Sequence, residues 1–153
     1  AVRREIPSVL VMVGDGPERS AAEEEARRLD VESDVRFLGK IDAVAALLAC
    51  ADLYLLPTDR ESFGLSALEA QACGVPVLGY RVGGLPEVVV SGVTGHLGAV
   101  GDIVGMAGAA IDLLGHDDRW RATSHAAVQR AAGLFSTDQV LPRYEALYAD
   151  AVR

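Results

Sequence analysis

The sequence of 153 residues predicts an α/β fold, a mostly parallel sheet with flanking helices. Three observations predict it. Short continuous apolar runs alternate with charged, Ala-rich segments; each run stops at Gly, Pro or a polar turn; and the connections are short. A strand covered by helices on both faces reads as an unbroken apolar run, and strand–helix–strand units with short loops are right-handed crossovers. The implied architecture is doubly wound and Rossmann-like, and ligands of such sheets bind beyond the carboxyl ends of the strands.

The elements follow in order. Ser8 to Val13 is a continuous apolar run ending at Gly14-Asp15-Gly16-Pro17, read as a strand buried on both faces. A charged helix spans about Glu18 to Leu29. Val35 to Leu38 is a short strand closed by Gly39-Lys40, and Asp42 is placed to cap a helix reaching Cys50. Leu53 to Leu56 is a strand stopped by Pro57. After the polar loop Thr58 to Ser62 comes a helix over about Phe63 to Cys73, with Gly74 as its C′ stop. Val75 to Gly79 is the next strand, Gly83-Gly84 a turn, and Leu85 to Val90 a short helix with Pro86 in its first turn. A short strand sits at His96 and Leu97. Asp102 to Leu114, Asp117 to Ala132 and Thr137 to Val152 read as three amphipathic helices, so residues 103–153 form a C-terminal helical segment. No linker divides the chain. Four strand-end loops, at residues 14–16, 39–40, 57–61 and 81–84, are expected to converge on one edge.

Composition narrows the function. Hydrophobic residues make up 50% of the chain, ample for one core. A net charge of −8 argues against a broad nucleic-acid surface, which needs clustered Lys and Arg. A small anion held by backbone N–H groups at a helix start remains open. No apolar run approaches the ~18–20 residues of a membrane span, and Ala1 to Glu5 lack a signal-peptide core. A cytoplasmic location is the default expectation. Cys50 and Cys73 fit a reducing compartment and are expected as small buried hydrophobes. His96, His116 and His125 lack metal-ligand spacing. Thr58 and Ser66 have no base at nucleophile-activating spacing. Trp120, inside Arg119-Trp120-Arg121, is expected to anchor its helix to the core.

The most informative stretch runs from Pro57 to Ala70, where a strand end passes through a polar loop into a helix. Exposed N–H groups at Phe63, Gly64 and Leu65, with the helix dipole, make a site for phosphate or for an oxygen gaining negative charge. Gly64 is read as letting a ligand approach the backbone. Glu61 and Glu69 flank this site. If one helix spanned both, their backbones would stand roughly 12 Å apart, beyond the ~5–9.5 Å of a hydrolytic carboxylate pair. The spacing suits two clamps on one long ligand, such as a sugar–diphosphate–ribose donor, with Glu61 on the sugar hydroxyls and Glu69 on the ribose. The plainer alternative makes Glu61 a favourable charge near a helix N-terminus and Glu69 a solvated side chain.

The two glutamates, preceded by Leu55-Leu56-Pro57 and followed by Ala70-Gln71-Ala72-Cys73-Gly74-Val75-Pro76-Val77, resemble family 4 of the retaining glycosyltransferases, with the GT-B fold. The resemblance continues through Gly14-Asp15-Gly16-Pro17, Phe37-Leu38-Gly39-Lys40, Val82-Gly83-Gly84-Leu85-Pro86-Glu87 and Gly92-Val93-Thr94-Gly95, in order and at matching intervals. It implies that residues 1–153 are a nucleotide-sugar-binding domain, the C-terminal half of a GT-B fold. Glu61, as the catalytic-site glutamate, would contact the donor sugar and Glu69 the ribose. The amides of Phe63, Gly64 and Leu65 would face the sugar and diphosphate, Gly39-Lys40 would lie by the nucleobase, and Gly14 and Gly16 would shape the crevice floor. The donor is a UDP-sugar, and neither cofactor nor metal is implied. Within the family, Ser62 stands where Gly is commoner. With Gly39 to Asp42 and Val100-Gly101-Asp102, this is most similar to the branch that moves N-acetylglucosamine from UDP to L-malate in bacillithiol biosynthesis. Lipid or polysaccharide acceptors, or a nucleotide-sugar-binding module without catalysis, are the alternatives.

The sequence departs from the family in one region. The chain opens on Ala1 without the strand and helix that begin the family's C-terminal domain and carry the Arg and Lys gripping the diphosphate. Arg3 and Arg4 lie too close to the first strand to replace them and are expected as solvated charges. Nothing corresponds to the acceptor-binding N-terminal domain. The expectation is a chain that binds nucleotide weakly and transfers no sugar alone, and whose missing edge strand leaves apolar surface and strand edge exposed, with a risk of association into homo-oligomers.

Overall fold

In the computed structural model, which describes residues 1–152, the apolar runs are parallel strands flanked by helices. They belong to two compact units, Ala1–Val44 and the chain from Ala45 onward, and the strands of the described residues form two sheets rather than one.

The first unit is a βαβ turn with a short leading helix. Its elements are α1 (Val2–Glu5), β1 (Leu10–Val13), α2 (Arg19–Arg28) and β2 (Val35–Gly39), with a 3₁₀ turn at Glu32–Asp34. β1 and β2 pair in parallel, Leu10 opposite Val35 and Met12 opposite Phe37, with a slip before Val13 meets Gly39. Arg3 is ion-paired to Asp34 at 2.7 Å where solvation alone was expected. Arg28, bonded to Glu25, holds that exposed carboxyl below its ordinary range. One expectation fails here. The apolar run predicts β1 buried on both faces, yet Leu10, Val11, Met12 and Val13 are 39–43% exposed. Two strands and one short amphipathic helix do not supply two covering layers, so the apolar run records a preference this unit does not satisfy.

The second unit holds the core. After α3 (Val44–Leu48), which begins at the boundary, come β3 (Tyr54–Leu56), α4 (Leu65–Ala72), β4 (Val77–Tyr80), α5 (Leu85–Val88) and β5 (Gly95–Gly98). Then follow α6 (Ile103–Gly115), α7 (Asp117–Phe135) and α8 (Thr137–Ala151). The sheet order is β3-β4-β5, all parallel. The middle strand β4 is buried along its whole length, as an unbroken apolar run requires. Ala67, Ala70, Leu78, Leu85 and Ala127 are fully buried around it, and α7 packs on α4.

Helix ends follow local chemistry. Asp102 caps α6, its Oδ1 accepting the Gly105 N–H at 2.8 Å. Gly74 ends α4 at φ +79°, the left-handed conformation of a C′ glycine. Trp120 anchors its helix, donating its indole N–H to the Asp52 carbonyl at 2.7 Å. Cys50, by contrast, is exposed and Cys73 half-buried; the expected burial of Cys50 fails because α3 ends at Leu48, placing Cys50 in the turn beyond it. No described helix is long and apolar enough to cross a membrane.

Candidate functional site

The loop between β3 and α4 is shaped by glycines. Gly64 takes φ +95° as the N-cap of α4, so the helix starts at Leu65 and leaves Glu61 in the loop. The helical extrapolation from Glu61 to Glu69 therefore does not apply. Gly64 is buried, and a Cβ there would lie 2.8 Å from Leu85 Cδ1. Glycine is required there by φ and by packing against α5. Beneath the loop lies the Gly83-Gly84 turn. A Cβ on Gly83, at φ +49°, would overlap the Glu61 carbonyl oxygen, and one on Gly84 would stand 2.9 Å from Phe63 Cα. The Gly84 N–H donates to the Ser62 carbonyl at 3.1 Å. Two backbone segments thus touch where no side chain fits between them.

Glu61 is half-buried, and its Oε1 accepts the N–H groups of Gly64 at 3.1 Å and Phe63 at 3.4 Å. Its carboxylate thereby serves the start of α4 as an anion in the helix dipole, the plainer role foreseen for it. Two of the three backbone donors read as ligand-facing are thus engaged by the protein itself. The amides of Leu65 and Ser66 find no acceptor among the described residues, and the Leu65 side chain is 67% exposed. Glu69 is exposed on the second turn of α4, with no ion pair among the described residues. Loop, helix start and both carboxylates belong to the second unit.

Residues 14–16 and 39–40 come together in the first unit. The Gly14 N–H donates to the Gly39 carbonyl at 2.8 Å, and Gly14 and Gly39 adopt φ +115° and +67°. Asp15, Gly16 and Lys40 line a cavity of about 300 Å³. Within each unit, two of the four loops come together. Sequence reasoning missed two residues that support the β3–α4 loop, Arg130 and Phe135 on α7; nothing in the spacing links them to residues 61–64. No three His, Cys, Asp or Glu side chains gather as a metal would need among the described residues.

Residues 1–116 match the family described as glycosyl transferases group 1. The chain belongs to this family. It is 45% identical over 149 residues to the N-acetyl-α-D-glucosaminyl L-malate synthase of Bacillus anthracis, covering 97% of this chain and 39% of that protein. It is 36% identical to the 2-deoxystreptamine N-acetyl-D-glucosaminyltransferase of Streptomyces fradiae, covering 87% of this chain and 32% of the relative. Among solved structures, sucrose-phosphate synthase from Thermosynechococcus elongatus superposes with a TM-score of 0.88 at 28% identity, over 99% of this chain and 40% of that one. The Anabaena protein HepE in complex with UDP gives 0.90 at 25% identity, over 96% and 42%. This glycosyltransferase chain therefore has the α/β fold of GT-B enzymes, and it spans about two-fifths of the length of the curated relative it matches at 45% identity.

Proposed function

We propose that this chain supplies the donor site of a retaining glycosyltransferase that takes UDP-N-acetylglucosamine and transfers its sugar to L-malate. The observation that carries the reading is the start of α4. It brings together a glutamate in the loop, amides at Leu65 and Ser66 with no acceptor among the described residues, and a second, exposed glutamate further along the same helix, and this reading takes them as one donor site. The amides and the helix dipole suit the diphosphate, and the carboxylates accept hydrogen bonds from hydroxyls, Glu61 from the sugar and Glu69 from the ribose. Donor binding redistributes the hydrogen bonds of Glu61, since its carboxylate and the diphosphate compete for the amides of Phe63 and Gly64. The two transferases above, both of which carry N-acetylglucosaminyl in their names, support the sugar, and the first supports the acceptor.

The site uses no metal in this reading. The leaving diphosphate meets preorganised backbone donors and itself helps to take the acceptor's proton during front-face attack. The acceptor is held by parts of the full-length protein that these residues do not provide, so the chain alone binds donor without turning it over. A family relative named glycogen synthase, 35% identical, favours a second reading in which a glucosyl donor and a polysaccharide acceptor replace these.

Calorimetric titration with UDP, UDP-N-acetylglucosamine and UDP-glucose tests both. Binding of UDP that weakens about tenfold in Glu69→Ala is expected, the loss of a charge-assisted hydrogen-bond pair. Equal affinity in Glu69→Ala removes the ribose assignment. Tighter binding of UDP-glucose than of UDP-N-acetylglucosamine transfers the case to the second reading.

A further inference from the structure

The β3–α4 loop is held from two directions, and one side chain joins them. From below, the loop rests on α5. The Gly84 N–H binds the Ser62 carbonyl at 3.1 Å, and fully buried Leu85 fills the space beside Gly64. From the side, the ring of Phe63 meets the ring of Phe135, the last residue of α7, edge-on with centroids 5.8 Å apart and planes at 71°. Arg130 connects the two supports. Its Nε donates to the Val88 carbonyl at 2.8 Å and its Nη2 to the Glu87 carbonyl, while its Cζ lies 5.9 Å from the centroid of the Phe135 ring.

The physics of each contact points the same way. A helix of four residues, like α5, does not hold itself together, and the carbonyls of its last turn have no intrahelical partners. A guanidinium can satisfy two such carbonyls with its planar fork while its face covers an aromatic ring, which an ammonium cannot do. Arg130 is half-buried, and its bond to the Val88 carbonyl is part-buried, which strengthens that bond against solvent. The edge-on ring pair adds directional preference, because the positive edge of one ring faces the negative face of the other.

We propose that Arg130 and Phe135 are positioning residues of the donor loop. By tying the end of α5 to the end of α7, they fix the backbone of residues 61–64 and hence the direction in which the α4 amides point. The proposal rests on the reading of this loop as the donor site, but its first readout does not. In the ¹⁵N-labelled chain, Arg130→Met and Phe135→Leu are expected to displace the amide resonances of Phe63, Gly64 and Leu65 while leaving those of α6, such as Ala110, in place. The same variants weaken UDP about fivefold, the loss of roughly one well-placed hydrogen bond. Arg130→Lys recovers only part of that loss, and Phe135→Tyr, which keeps the ring, most of it. Phe135→Tyr and Arg130→Lys also carry the test if either larger change prevents folding, since partial displacement of the same three amides is then expected. Unmoved Phe63, Gly64 and Leu65 amides in folded variants overturn the proposal, as does unchanged UDP affinity with displaced amides. Displaced amides in a chain whose wild type does not bind UDP overturn the donor assignment and leave the positioning of residues 61–64 by Arg130 and Phe135 standing.

Discussion

At the scale of single residues, the loop depends on glycines whose neighbours leave no room for a side chain. Gly83 combines a left-handed φ of +49° with the Glu61 carbonyl where its Cβ would go. An alanine must strain its own backbone, at about 1–2 kcal/mol, and must also push away a backbone segment rather than a flexible side chain. Gly83→Ala is therefore expected to lower the free energy of unfolding by about 3 kcal/mol, read as a shift of the urea midpoint at unchanged slope. A loss below about 0.5 kcal/mol, the level of an ordinary surface change, would mean that the turn relaxes without cost. The sequence announces the double glycine as a turn and Gly64 as part of the loop after β3, but it does not join the two. What it does not disclose is their reason. Leu85 occupies the space beside Gly64, and only the folded arrangement of α5 against α4 brings a residue from position 85 there. The same holds for Glu61. Its place beside a helix start was legible; that the helix starts at Leu65 rather than near Phe63, with Gly64 as N-cap, and that the carboxylate takes the Gly64 and Phe63 amides depend on a loop path that spacing alone does not determine.

At the scale of elements, the glycine that stops α4, Gly74, was legible, while the N-caps and the burial were not: Asp42, expected to cap α3, lies two residues before its first residue, Val44, and Asp102, expected as the first residue of α6, is its N-cap. Asp102 precedes an apolar helical run, and the structure shows its side chain bonded to Gly105, three residues on. Asp102→Ala leaves that N–H to water and is expected to cost about 1 kcal/mol, seen as a lower thermal midpoint. Asp102→Ser, which keeps an acceptor, should restore most of it. If Asp102→Ala leaves the midpoint unchanged, the cap contributes nothing to α6. A stop glycine is readable because its left-handed conformation is a preference of the residue itself, whereas which Asp caps depends on where the helix actually begins. The burial of β1 is different. Val9 to Val13 and Val75 to Tyr80 carry similar apolar runs, yet β4 is wholly buried and β1 is not. A strand's sequence states what it would tolerate on its faces, while the layers that cover it come from elsewhere. The apolar residues of α8 show the same thing: Leu141, Tyr144, Leu147 and Tyr148 are 51–68% exposed, although their spacing would put them on one helix face.

At the scale of the whole molecule, the two units differ in what holds them. Among the described residues of the first unit, Ala26 is the one buried hydrophobic side chain, whereas the second unit buries the others, from Leu48 to Ala131. Hydrophobic burial is the main favourable term in folding, and backbone pairing across a two-stranded ribbon is marginal by itself in water. Local opening free energies follow buried apolar contact, so the amides of β1 and β2 are expected to exchange through an opening that leaves β3, β4 and β5 intact. Native-state hydrogen exchange against urea should then show two classes. The Val11 and Phe37 amides would be protected at least about tenfold less than the Leu78 amide, a difference near 1.4 kcal/mol, and with a smaller denaturant slope because less surface is exposed. A common free energy and slope for all three would show that the chain unfolds as one cooperative body. In that case the exposure of β1 would have no energetic consequence. Two classes would place the glycines at 14, 16 and 39 on a support that opens while the α4 site stays folded.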